Sequence, residues 1–151
     1  MLRKIVLLSN CILNANTQSS KELVKFFTES DIGIVQLPCP KFRFESNIDN
    51  KKKCSKLYRN YCKELSTKIM CDVEKYFETE YNVLGIVGIE FSANCGVNKF
   101  SNGKKGWGKG VFFEELEKQM ELKKMQIPFL GADMNNVFST MRKFQVLLNN
   151  S

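Results

Sequence analysis

Lys4-Ile5-Val6-Leu7-Leu8-Ser9 is an apolar run closed by a serine, and Asn10-Cys11 follows at once. Apolar side chains at every position, rather than at alternate ones, mark a strand buried on both faces. The arrangement returns twice. Ile34 to Leu37 ends at Pro38-Cys39-Pro40, and Val83 to Ile89 (VLGIVGI) leads six residues later to Cys95, in Asn94-Cys95-Gly96. A shorter run, Ile127 to Leu130, is a fourth candidate strand.

The segments between these runs carry helical periodicity. Ser19 or Ser20 is a candidate cap for a helix to about Ser30, with Leu23, Phe26 and Phe27 on its apolar face. Asp31-Ile32-Gly33 turns the chain into the second strand. Residues 41–53 read as a basic loop, because two prolines around Cys39 oppose helix and ladder alike. From about Cys54 to Glu80, Tyr58, Leu65, Ile69, Val73 and Tyr76 recur at spacings of three, four and seven, which predicts one long helix. Residues 90–110 read as a polar, glycine-rich loop. Phe112 to about Met125 is a helix with Glu114 and Glu115 in its first turn, where the macrodipole favours them. Gly131-Ala132-Asp133 leads into a last helix from about Met134 to Leu148. Strands alternating with helices predict an α/β fold with a mostly parallel sheet of about four to five strands and right-handed crossovers. No linker or repeat interrupts residues 1–151, so one domain is expected.

A chain of 151 residues, 43% apolar, is long enough to bury a sizeable core. Its first apolar run is too short for a signal-peptide core or a membrane span, and the reading is a cytoplasmic protein without membrane attachment. There is no histidine among the 151 residues. That removes Ser-His-Asp and Cys-His catalysis and every zinc site needing imidazole. The net charge of +7 reads first as a solvated surface and second as attraction for an anionic ligand.

Six cysteines in a cytosolic chain point to metal binding, catalysis or plain burial rather than to disulfides. Cys54, Cys62 and Cys71 fall within the long helix at spacings of eight and nine, off one face, and read as thiols without a role. Cys11, Cys39 and Cys95 each follow a predicted strand. Parallel strands send their following loops out of one edge of the sheet, where ligands bind. Three thiols could therefore meet there without being close in sequence. Three thiolates without imidazole form a soft ligand set, suited to an iron–sulfur cluster or to thiolate-bound zinc. A cubane normally takes four cysteines, so three leave one iron open.

Two further signals are weaker. Gly103 to Lys109 matches the spacing of a phosphate-binding loop, but Gly110 stands where Ser or Thr would hold magnesium. A lid over the cysteines is the preferred reading, with Trp107 covering a ligand and Lys109 supplying charge. Phe42 and Phe44 lie between cations and suit base stacking or packing beneath the loop.

LLSNCILN, QLPCPK, and VGIEFSANCGVN followed by GKKGWGKGVFFEEL and IPFLGAD resemble, in order and spacing over nearly the whole chain, the bacterial desulfidases related to 2-thiouracil desulfurase. The resemblance implies a Rossmann-like three-layer domain. It also implies a [4Fe–4S] cluster held by Cys11, Cys39 and Cys95, whose open iron takes the sulfur of a thiolated substrate. Two blocks depart from the family. Cys39-Pro40-Lys41 replaces Cys-Pro-Glu, and Ser92-Ala93-Asn94-Cys95 replaces Ser-Pro-Ser-Cys.

The expected activity is removal of sulfur from a small thiolated compound such as a thiolated nucleobase, in an anionic form that suits the basic edge. Ser92 and Asn94 would position it, Glu90 or Glu45 would replace the missing acid, and Lys41 would steady the cluster or the substrate. The rival reading is a metal- or sulfide-binding protein or sensor without turnover. A third, nucleic-acid binding, predicts affinity falling steeply with salt.

Overall fold

The computed structural model describes residues 2–47, 55–101 and 105–149. Strand β1 (Arg3–Leu8) is followed by a one-turn helix α1 (Asn10–Asn14) and by α2 (Gln18–Glu29). Then come β2 (Gly33–Gln36), α3 (Pro40–Asn47), α4 (Ser55–Phe77) and β3 (Tyr81–Ile89). A hairpin of β4 (Lys99–Ser101) and β5 (Lys105–Trp107) precedes α5 (Val111–Leu122), β6 (Phe129–Ala132) and α6 (Val137–Asn149).

The main sheet has four strands in the order β2-β1-β3-β6, all parallel. Helices cover both faces, as in a Rossmann-like three-layer fold. Leu65, Ile69 and Met70 of α4 and Phe112, Phe113 and Leu116 of α5 pack on one face. Leu23 and Phe27 of α2 and Val137, Phe144 and Leu148 of α6 pack on the other. The distribution follows from handedness. The steps β2→β3 and β3→β6 run in one direction across the sheet, so α4 and α5 share a face. The step β1→β2 runs in the opposite direction and puts α2 on the opposite face. No helix among the described residues is long and apolar enough to cross a membrane.

Four expectations change. The cap of α2 is Thr17, whose side chain accepts from the Ser20 amide, so helix and cap begin earlier than Ser19. Residues 40–47 are helical rather than loop. Pro40 sits at the first helical position, where a missing N–H costs nothing, and the carbonyl of Cys39 accepts from the Arg43 amide. Cys11 also lies in a helical turn, α1, rather than in a loop. Finally, residues 90–110 contain the antiparallel hairpin β4–β5. Its second strand takes up Lys105–Trp107, within the stretch that matched a phosphate-binding loop. Gly103 and Lys104 lie outside the described residues.

Gly88 shows how tightly the loop after β3 is set on the sheet. A Cβ there would stand 2.0 Å from the carbonyl oxygen of Cys95 and 2.4 Å from the Phe113 ring. Gly33 is less constrained, its nearest neighbour being the Ile5 side chain at 3.1 Å. Gly88→Ala is expected to cost about 2–3 kcal/mol or more in denaturant unfolding, through displacement of backbone and ring. Gly33→Ala, against the end of a side chain, should cost less than half as much. Equal midpoints for the two variants would contradict this packing.

Candidate metal centre

The chain reverses its direction across the sheet at β1 and β3. The segment after β1 heads for one face and the segment after β3 for the other, the arrangement that in open α/β sheets leaves room for a ligand between the carboxyl ends. Cys11 follows β1, Cys95 follows β3, and Cys39 follows the neighbouring β2. The Ser9 amide bonds to Val87 O at 2.9 Å and the Leu37 amide to Leu8 O at 2.8 Å. These bonds hold the three strands in register up to the edge where the cysteines emerge.

The thiols interact there. Cys11 lies on the surface, with the Cys39 thiol near enough to act on it. Partial burial raises its pKa, as does the neighbouring Cys39, while the Lys41 cation pulls it down. Burial pushes the Cys95 thiol up to about 12, against the pull of the Ser9 and Ser92 hydroxyls and with the added repulsion of Cys11 and Cys39. Ser9 Oγ is buried and has no hydrogen-bond partner among the described residues, although it is near enough to act on the Cys95 thiol. Cys39 and Cys11 stand at the amino ends of α3 and α1, the ends that favour negative charge.

No three His, Cys, Asp or Glu side chains among the described residues form a group that could hold a metal ion. A single tetrahedral ion draws its thiolates to within about 4 Å of one another. A cubane keeps them farther apart, around its own body. The soft donor set, the under-bonded Ser9 hydroxyl and the Lys41 cation fit a cluster of that kind at Cys11, Cys39 and Cys95.

The loop carrying Cys95 is internally braced. Ser92 Oγ accepts from the amides of Asn94 at 3.2 Å and Cys95 at 3.0 Å. Glu90 Oε1 accepts from the amides of Val97 at 2.8 Å and Asn98 at 2.9 Å. Between them Phe91 takes φ = 71°, a left-handed backbone that costs a bulky residue about 1–3 kcal/mol. The carbonyls of Ala93 and Asn94 accept from the Val111 and Phe113 amides, so the loop also caps α5.

The other expected residues divide. Lys41 is close enough to act on Cys11. Ser92 is placed to shape the Cys95 turn, and Glu90 serves the same loop. Asn94 Oδ1 accepts from the Tyr58 hydroxyl. Trp107 is 83% exposed and borders a groove with Phe91, Lys99 and Gly106 that no cysteine among the described residues lines. Lys109 pairs with Glu117 at 2.8 Å and lies over the Phe129 ring, also away from the thiols. The Glu45 side chain and Cys54 lie outside the described residues. Cys71 is exposed.

Two residues went unassigned in the sequence. Tyr58 and Cys62 are four apart on α4, hence on one face, near enough to act on each other. Tyr58 also meets Phe44 of α3 edge-on at 5.2 Å. It thus ties the helix after Cys39 to the loop before Cys95. Burial and the thiols of Cys62, Cys39 and Cys95 push its pKa far up, so it stays a donor. Cys62 is fully buried, and its thiol is pushed up to about 11 mainly by burial. The i, i+4 spacing was the available signal.

No family model matches the chain, and no solved structure matches it. The chain is similar to an uncharacterized protein, MJ0003, of Methanocaldococcus jannaschii. The two are 28% identical over 160 aligned positions, covering 93% of this chain and 96% of the relative.

Two outcomes test this geometry. In the metal-free chain Cys95 should alkylate more slowly than Cys11. Its thiolate fraction falls tenfold for each pH unit below about 12, so its rate should still be rising at pH 10. Mass spectrometry of alkylated peptides at several pH values reads this directly. Tyr58→Phe keeps the ring contact with Phe44 but loses the bond to Asn94. It should leave the fold intact, cost about 1–2 kcal/mol in denaturant unfolding, and speed Cys95 alkylation severalfold.

Proposed function

We propose that this chain is a cytosolic iron–sulfur-dependent desulfidase. It removes sulfur from a small thiolated compound such as a thiolated nucleobase, with a [4Fe–4S] cluster held by Cys11, Cys39 and Cys95. The observation that carries this reading is the placement of Cys11, Cys39 and Cys95 after three adjacent parallel strands, at one edge of the sheet and near enough to act on one another. The sequence resemblance to desulfidases supports it independently. When bound, such a cluster supplies a Lewis-acidic iron without a protein thiolate, to which a soft sulfur binds.

The chain's own residues set the conditions for hydrolysis of the C=S bond, in which water supplies oxygen and the sulfur departs as hydrosulfide. Lys41 and the amino ends of α1 and α3 offset the negative charge of three thiolates. Tyr58 remains protonated and holds Asn94 beside Cys95. Ser92 fixes the turn that presents the Cys95 sulfur.

One observation favours the rival, a sulfide-binding or sensing protein without turnover. Glu90 is engaged in bracing its loop, and it borders a polar cavity with Asp133, Asn136 and Lys143 rather than the cleft at Cys39. With Lys41 in place of an acid, no carboxylate side chain among the described residues lines that cleft.

Protein purified without oxygen should contain about four iron and four labile sulfide per chain. Cys11→Ser, Cys39→Ser and Cys95→Ser should each lose most of that iron, because oxygen is a poor ligand for this soft site, and Cys71→Ser should retain it. Equal loss in all four variants would refute the ligand assignment. Sulfide release from thiolated nucleobases by the iron-loaded protein distinguishes the two readings: turnover supports the desulfidase, and stoichiometric binding without release supports the sensor.

A further inference from the structure

A polar cavity of about 100 Å³ opens beyond the carboxyl ends of β3 and β6, and no cysteine among the described residues lines it. Its lining includes Glu90, Phe91, Lys99, Asp133, Ser139 and Lys143. Two acidic and two basic residues thus share one small space. Among the described residues no ion pair joins any two of them, and none pairs with a charge elsewhere.

The signs are sorted by element. Glu90 and Asp133 follow adjacent strands: Ile89 pairs with Ala132, and the Glu90 amide bonds to Ala132 O at 2.9 Å. The Glu90 carboxylate lies over Gly131, where a Cβ would stand 2.6 Å from its carboxyl carbon, so only glycine leaves room for it. Ser139 and Lys143 are four apart on α6 and therefore share a face. Lys99 comes from β4. Its carbonyl accepts from the Phe91 amide at 2.9 Å, and its ammonium lies over the Phe91 and Trp107 rings at 5.3 and 5.5 Å. The acids come from the sheet, and the cations from the helix and hairpin beside it.

Each acid uses one oxygen within the fold. Glu90 accepts its two loop amides through Oε1, and Asp133 accepts the Asn135 amide through Oδ1. An anion alone in this space meets two carboxylates, and a cation alone meets two ammonium groups. A ligand carrying both charges satisfies both sides. One water needs about 10–15 Å³ of such space, so the cavity has room for roughly seven heavy atoms.

We propose that this cavity binds a small α-amino acid as its zwitterion. The ammonium faces Glu90 and Asp133, and the carboxylate faces Lys143, Ser139 and Lys99. The site is separate from the cysteines, goes beyond the desulfidase reading and does not depend on a metal.

Calorimetric titration of the full chain, purified without oxygen and assayed for iron, tests this with L-alanine, propionate, ethylamine and L-phenylalanine. Alanine should bind saturably. Propionate lacks the ammonium and ethylamine lacks the carboxylate, so each should bind at least about tenfold more weakly. Phenylalanine exceeds the cavity and should not bind. Lys143→Met and Asp133→Asn should each weaken alanine binding about tenfold. Met keeps an unbranched chain, and Asn keeps an acceptor for the Asn135 amide, so denaturant midpoints should match the parent chain. Ser139→Ala, at an exposed position, gives a third variant with a loss of about threefold, which stands if either of the others is destabilised. Equal binding of propionate or of ethylamine would reveal a simple ion site and overturn the assignment. So would absence of alanine binding by the parent chain, or unchanged affinity in the variants. Alanine binding by protein that contains no iron would leave this site standing and remove the cluster reading alone.

Discussion

The pairing of β1 with β3 brings together two segments far apart in the chain, and the candidate centre depends on that junction. Both strands are buried on both faces, so neither can slip by one residue without changing which side chains meet α2 and α6 and which meet α4 and α5. Register is therefore held by two cores at once. The polar ends of these strands inherit that precision. Ser9 is bonded to Val87, and the loop after Ile89 is pressed onto Gly88, so the positions of Cys11 and Cys95 relative to each other follow from packing beneath them.

The centre gathers groups that resist being gathered. Three thiols side by side repel one another once ionised, and burial of Cys95 opposes ionisation further. The chain opposes this with a lysine near Cys11 and with the amino ends of two short helices. Serine hydroxyls at Cys95 add donors. The fold thus carries an electrostatic cost at this edge, which these groups partly offset. The left-handed Phe91 is a second local cost at the same edge, held in place by the braces from Glu90 and Ser92.

Much of the fold was legible because its signals are short-range. Continuous apolar runs, a helical period of three and four, and the alternation of the two follow directly from residue order. What misled was local and chemical. Pro38 and Pro40 read as helix breakers, yet a proline tolerates the first helical position, and Pro40 begins α3. Glycines in 90–110 read as loop, yet Gly106 is compatible with a hairpin strand. Tyr58 looked like one more apolar contact of a long helix, because its hydroxyl acquires meaning only when Asn94 arrives from another part of the chain.

Residue order alone determined the four strands of the main sheet, the longer helices between them, the parallel arrangement and the fact that three cysteines leave one edge of the sheet, since each of these rests on patterning within a few residues. Which polar side chains accompany the cysteines was decided by tertiary structure. Asn94 is taken by Tyr58, Glu90 by two loop amides and Lys109 by Glu117, while Asn10, Gln36 and Phe42 converge on Cys39 from three separate elements. A hydrogen bond or an ion pair spans only about 3–4 Å, so its partners are fixed by the final placement of side chains. That placement depends on packing of both sheet faces together, which no local stretch of sequence contains.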